Sequence, residues 1–168
     1  MTSILKVSEI QDPTNSNTAL TIDSSGRVTK PQQIAFLASS SGSTHTTNIG
    51  NVLDFDAVVI NKGNHYNSTT YTFTAPVAGV YNFYWQVYEQ NGTGVKQVAL
   101  QKNGSDYVVY DHAIAAQGVV NVGDHTMPAA LLMDLAVNDQ IRIAVRALSS
   151  HNLQWYGGHS WFQGYFIG

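Results

Sequence analysis

Aspartate and histidine are the residues of this chain whose types and spacing come nearest to chemistry, and Asp111-His112 is the first pair to test. A carboxylate beside an imidazole is part of a charge relay, but the relay works only on an activated nucleophile within hydrogen-bond reach. The 168 residues include no cysteine, and no serine stands in a Gly-x-Ser-x-Gly turn. No enzyme is expected. None of the six histidines has a His-x-x-x-His neighbour, and His151 and His159 sit eight apart across a Gly-Gly turn, so they read as polar loop residues.

Carboxylates offer a second chemistry. Asp54 and Asp56 lie two apart on one predicted strand face, and Asp106, Asp111 and Asp124 fall near predicted strand ends, where carboxylates and loop carbonyls together can hold Ca2+. Asp111 and Asp124 are the calcium candidates among them. A dense Asp-x-Asp-x-Asp-Gly loop is missing, so solvated turns are the preferred reading and no cofactor is required. A third possibility is stacking: Tyr66, Tyr107, Tyr110, Trp155 and Tyr156 sit in or beside predicted loops, where ring faces suit a sugar or receptor group. Of three Asn-x-Ser/Thr sequons, at Asn67, Asn91 and Asn103, the last two coincide with Asn-Gly hairpin turns, which explains them without glycan.

The elements that would position such residues are strands. Apolar runs of four to ten residues recur at 34–39, 52–60, 71–75, 80–89, 96–102, 106–114, 128–136, 140–148 and 160–167, with Asn91-Gly92, Asn103-Gly104 and Pro76 to Gly79 as turn signals between them. No helical period competes, and the spacing predicts a two-sheet sandwich of jelly-roll type. In the 140–148 run, Ile141, Ile143, Val145 and Ala147 form the buried row and Gln140, Arg142, Ala144 and Arg146 the outer one. The stretch "VYNFYWQVYE" is more demanding: Tyr81, Phe83, Trp85 and Val87 make a core row, whereas Asn82, Tyr84, Gln86 and Tyr88 alternate amides with phenols on the other face.

A chain of this length is long enough for one domain that buries roughly 70% of its unfolded surface. Charged residues are only 11% of the sequence, and Gly, Ser, Thr, Asn and Gln take their place on a neutral polar surface. Eight Lys and Arg scattered singly, at a formal net charge of -3, give no basic stripe for a phosphate backbone, so nucleic acid is not expected as a partner. The sequence start lacks both the basic residues and the apolar run of a secretory signal, and no run approaches the ~18 residues of a membrane span, so a soluble, uncleaved product without membrane insertion is expected.

Residues 1–31 differ from the rest. A short apolar patch, Ile4, Leu5, Val7 and Ile10, precedes a polar break at 12–17. A candidate hairpin follows, in which Leu20 and Ile22 lead into Asp23-Ser24-Ser25-Gly26 and Val28 returns before Pro31. Thirty residues cannot bury a core of their own, so 1–31 is expected to be an attachment arm ordered against another chain or another copy, and 32–168 the head.

The head carries a specific pattern: Phe55, five residues, Asn61, four, Tyr66, six, Phe73, five, then Gly79-x-Tyr81-x-Phe83-x-Trp85. This resembles the signature of the complement C1q globular-head domain. In order along the chain, "IAFLAS", "VALQKNG", "LAVNDQIRIAV" and "SWFQGYFI" resemble further strands of that family, with Asn138 where its members usually have Gly. The likeness covers about residues 33–168. It implies the ten-strand all-β jelly roll of the C1q and tumour necrosis factor type, assembled into homotrimers with Tyr84 where relatives carry an axial ring. Asn82, Tyr84, Gln86 and Tyr88, joined by Phe162 and Phe166 of the closing strand, are then the expected trimer interface, and Gly164 should allow close strand approach. Some such trimers bind calcium near the axis or apex.

The arm, "MTSILKVSEIQD" followed by "LTIDSSGRVTKPQQIAF", resembles the N-terminal segments of tail-fibre and other virion proteins of marine bacteriophages. That likeness covers about 35 residues and implies a virion protein assembled in the host cytoplasm. Its arm would hold other tail or capsid proteins, and its head would serve as a host-adhesion tip for a surface glycan or protein. A capsid decoration at three-fold positions and a free carbohydrate-binding recognition protein are the alternatives.

Overall fold

A computed structural model of the chain describes residues 4–42, 44–90, 95–113, 125–148 and 153–168. Three short strands open it: β1 (Glu9–Gln11), β2 (Thr18–Ile22) and β3 (Val28–Thr29), paired in that order as a small antiparallel sheet. The predicted hairpin is its second half. The Asp23 carboxylate accepts from the backbone N–H of Ser25 and Arg27, and Gly26 takes the positive φ the turn needs.

The head follows as β4 (Ala35–Ser39), β5 (His45–Thr47), β6 (Ala57–Lys62), β7 (Tyr66–Asn67), β8 (Thr72–Thr74), β9 (Gly79–Glu89), β10 (Val95–Lys102), β11 (Ser105–Ala113), β12 (His125–Leu135), β13 (Gln140–Leu148), β14 (Leu153–Trp155) and β15 (Trp161–Phe166). One sheet runs β11-β10-β13-β8-β7. The other joins β12, β9, β15, β4 and β6, and the short β14 and β5 continue it beyond the end of β9. Leaving aside that short pair, ten strands make the predicted all-β sandwich. Asn103 and Gly104, both at positive φ, close the β10–β11 hairpin as their sequence signal requires.

The core is aromatic. Phe36, Phe55, Tyr66, Phe73, Tyr81, Phe83, Trp85, Trp155 and Phe162 are buried between the sheets, and Phe36 alone stacks on Tyr66 at 4.8 Å and on Phe73 at 5.1 Å. At Gly164, within β15, an added Cβ would lie 2.6 Å from the Phe83 ring and 2.7 Å from Phe36. The glycine is needed because two core rings fill its side-chain space, a more specific reason than strand approach.

Two expectations about the strands change. Residues 52–56 do not extend into a long strand, because Phe55 N–H bonds back to Leu53 O and Asp56 N–H to Asp54 O, which contracts the backbone. This segment instead lies along β13, with Leu53 N–H on Ile143 O and Val145 N–H on Asn51 O, and Val52 is bridged to Ala144. Ala144 is fully buried rather than solvent-facing, although it alternates with Ile143 and Val145 and keeps its place in the row of Arg142, opposite Ala99.

Candidate functional site

The outer face of the β9 sheet is where the sequence placed its interface, and pairing decides who stands there. Directly opposed residues in neighbouring strands share a face. Tyr84 of β9 is opposed by Gln163 on one side and Ala130 on the other, Asn82 by Tyr165 and Leu132, and Gln86 by Trp161 and Pro128. Asn82, Tyr84, Gln86 and Tyr88 are half-buried and turned away from the core, as expected. The Tyr84 ring is near-parallel to Trp161 with centroids 6.3 Å apart, Asn82 Nδ2 donates to the Tyr165 hydroxyl, and Gln86 Nε2 donates to the His159 carbonyl. Farther across, Leu37, Ser39 and Val59 line a shallow apolar groove with Trp161 and Gln163, and Leu132 stands 61% exposed at the other side.

Phe162 does not belong to this face. It opposes Trp85, a core residue, so it points inward and is fully buried against Phe36 at 4.9 Å and Phe83 at 6.1 Å. Phe166 opposes Tyr81 and leans on that ring at 5.0 Å, again on the core side. The outer row of β15 is Trp161, Gln163 and Tyr165, which the sequence reading missed. Their polar tips were the available signal: in "WFQGYF" the residues able to hydrogen-bond alternate with pure hydrocarbon.

The five aromatic residues proposed for receptor contact do not converge. Tyr66 is buried, its hydroxyl donates to Phe55 O at 2.8 Å, and burial pushes its phenol pKa up. Trp155 is buried with its indole N–H on Thr47 Oγ1 at 3.0 Å. Tyr107 is exposed and Tyr110 packs partly against the core, both on β11. Only Tyr156 stands in an end loop, where it, His159 and Tyr88 form a three-ring group with centroids 4.8 to 6.5 Å apart. The side chains of Asp111, His112 and Asp124 lie outside the described residues, and among the described residues no three His, Asp or Glu gather as a metal cage would need. Ile4, Leu5, Val7 and Ile10 of the arm are all exposed.

Two polar groups at the same end of the head were not legible in the sequence. Ser40, His45 and Asp54 line up as nucleophile, base and carboxylate: Ser40 Oγ to His45 Nε2 is 2.8 Å, and His45 Nδ1 to Asp54 Oδ2 is 3.0 Å. The carboxylate can only accept from Nδ1, which leaves Nε2 to accept the serine proton. The trio is shut, however. Ser40 is 5% exposed, an added Cβ on Gly157 would lie 2.9 Å from its Cβ, and one on Gly42 would lie 2.4 Å from His45 Nε2. No acyl group fits there, and the three residues clamp the loop between β4 and β5 over Trp155, on which the imidazole stacks at 4.6 Å. Beneath, Glu89 and Lys96 are both buried and face each other across the two sheets at 3.6 Å. Burial pushes the Glu89 carboxyl up to about 7, against the downward pull of Lys96.

Residues 35–167 match the C1q domain family. The chain belongs to it. The mouse collagen alpha-1(X) chain is 28% identical over 122 residues, which are 71% of this chain and 17% of that protein's length. Among solved structures, the globular domain of zebrafish complement 1qA superposes with a TM-score of 0.65 at 14% identity, covering 81% of this chain and 98% of that one. The Eiger TNF of S. frugiperda gives 0.67 at 10% identity, covering 82% and 94%. These two show the C1q and TNF jelly roll. Domains of this C1q type are generally non-enzymatic binding or structural modules, in keeping with a serine trio closed to substrate.

Proposed function

We propose that this chain is a homotrimeric C1q-like head that presents its loops for adhesion and is held to a larger particle by its N-terminal arm. The observation that carries the trimer is the outer row of β9 and β15. Tyr84, Trp161 and Tyr165 combine large ring area with polar tips, next to an apolar groove, on a face that no other strand among the described residues covers. Such groups suit a packed interface, where rings stack and each hydroxyl or amide finds a partner on the next subunit. Homotrimers are the assembly of C1q and TNF domains, which supports the same arrangement here. The particle is a bacteriophage virion in this reading, with the head as a tail-fibre-type tip; the support is the likeness of residues 1–35 to virion arms.

Tyr84→Asp tests the assembly. Three carboxylates near one axis would each cost several kcal/mol to bury without a partner, so the variant is expected to sediment as a folded monomer at micromolar concentration. A variant that stays trimeric removes Tyr84 from the interface. Chains lacking residues 1–31 should remain trimeric but no longer join particles in a complementation assay, and normal incorporation would refute the arm's role.

A further inference from the structure

The arm is a sheet with one finished face and one unfinished face. Glu9 opposes Thr21, which opposes Thr29, on one side, whereas Ile10 opposes Leu20 and Ile22 opposes Val28 on the other. On the first side the polar groups satisfy one another: Glu9 Oε1 accepts from Thr18 and Gln11, and the Thr21 and Thr29 hydroxyls bond together. The second side is aliphatic and largely exposed, with Ile10 46%, Ile22 37% and Val28 59% exposed, and with Leu5 and Val7 bordering a shallow groove at Ile22. No described residue of the chain's own head closes it. The groove between arm and head is lined by Thr18, Ala19 and Lys30 against Ile167 and Gly168, and none of the four aliphatic residues borders it.

We infer that the aliphatic faces of three arms, Ile10, Leu20, Ile22 and Val28 from each copy, pack on one another about the trimer axis as a short three-sided stalk. The inference rests on the trimer reading of the head. Its occupant, a second and third copy of this chain, follows from placement and charge. The arm leaves the head where β4 begins and β15 ends, with Gln33 Nε2 on Phe166 O, so trimerising through the outer row of β15 brings three arm bases together. Linked in this way, the arms meet at high effective concentration. They do not repel, because Lys6, Arg27 and Lys30 balance Glu9, Asp12 and Asp23. Leu5 lies beside Ile22 at the edge of this face, and Ile4, ahead of it, is left for the particle.

A chain without cysteine makes the test clean. Val28→Cys and Thr29→Cys are adjacent in sequence and lie on opposite faces, so each full-length variant is first sedimented and then treated with a short bismaleimide. The expected result is a trimer in which Val28→Cys converts up to about two thirds of the chains to a linked pair, one copy of three being left over. Thr29→Cys should link at least tenfold more slowly. A trimer that links equally at both positions, or at neither, overturns the stalk and leaves the trimeric head standing. A monomer overturns both.

Discussion

Neighbouring positions on β15 point to opposite fates, and substituting each to alanine separates the core from the proposed interface. Phe162 is fully buried and meets the rings of Phe36, Phe55, Tyr66 and Phe83 at 4.9 to 6.2 Å. Truncating a buried Phe costs about 3–5 kcal/mol, and four ring partners put this one near the top of that range. At about 2–4 °C per kcal/mol for a protein of this size, Phe162→Ala should lower the melting temperature by at least 10 °C. Trp161 is half-buried and, among the described residues, Tyr84 is its one ring partner. Trp161→Ala should cost below about 1 kcal/mol in the folding of a single chain but about 2 kcal/mol or more in association, as central aromatic residues do. Circular-dichroism melts at one fixed protomer concentration read the first effect, and sedimentation across a hundredfold dilution series reads the second. A Phe162→Ala protein that melts normally but dissociates, or a Trp161→Ala protein that unfolds while Phe162→Ala does not, would refute the register that assigns the two faces.

Glu89 gives a pH dependence of definite sign. Its carboxyl is near 4.5 in the unfolded chain and about 7 when folded, so folding takes up a proton between those values and stability falls as pH rises through that window. The urea midpoint of the native chain should drop from pH 4.5 to 7 relative to Glu89→Gln, and parallel profiles would show that the pair is not buried as described. The closed serine trio predicts no labelling of Ser40 by a fluorophosphonate, with Ser40→Ala costing about 1–2 kcal/mol of stability through the lost hydrogen bond. Labelling at Ser40, detected by peptide mass spectrometry, would reopen the question of catalysis.

Much of this architecture is legible in the residue pattern alone. The β9 rows read directly because one is hydrocarbon and the other alternates amide with phenol, and the Phe55 to Trp85 spacing carries the family. The phase of β15 is harder, since aromatic residues occupy both of its rows and size alone does not say which faces in. Tyr66 and Trp155 look like loop residues because they border turns. Only the tertiary fold supplies the Phe55 carbonyl and the Thr47 hydroxyl that let their polar tips go inside. The Ser40, His45, Asp54 trio and the Glu89–Lys96 pair depend on which loop folds over which sheet, and local sequence does not encode that. The two amphipathic faces of the arm emerge only with the bulge between Ile10 and Gln11, which turns Thr18 to the polar side.

The chain enters and leaves the head at one end, where Phe166 N–H bonds to Ile34 O, while Ser40, Tyr156 and His159 stand at the other. The eleven residues of β9 run between those ends, a rigid lever of about 35 Å. Distal loops can thus be exchanged or lengthened without disturbing the end at which the arm joins the head. Under the proposed function, the arm could change in the same way while the distal loops stay intact, so the two ends would be free to vary independently on one shared frame.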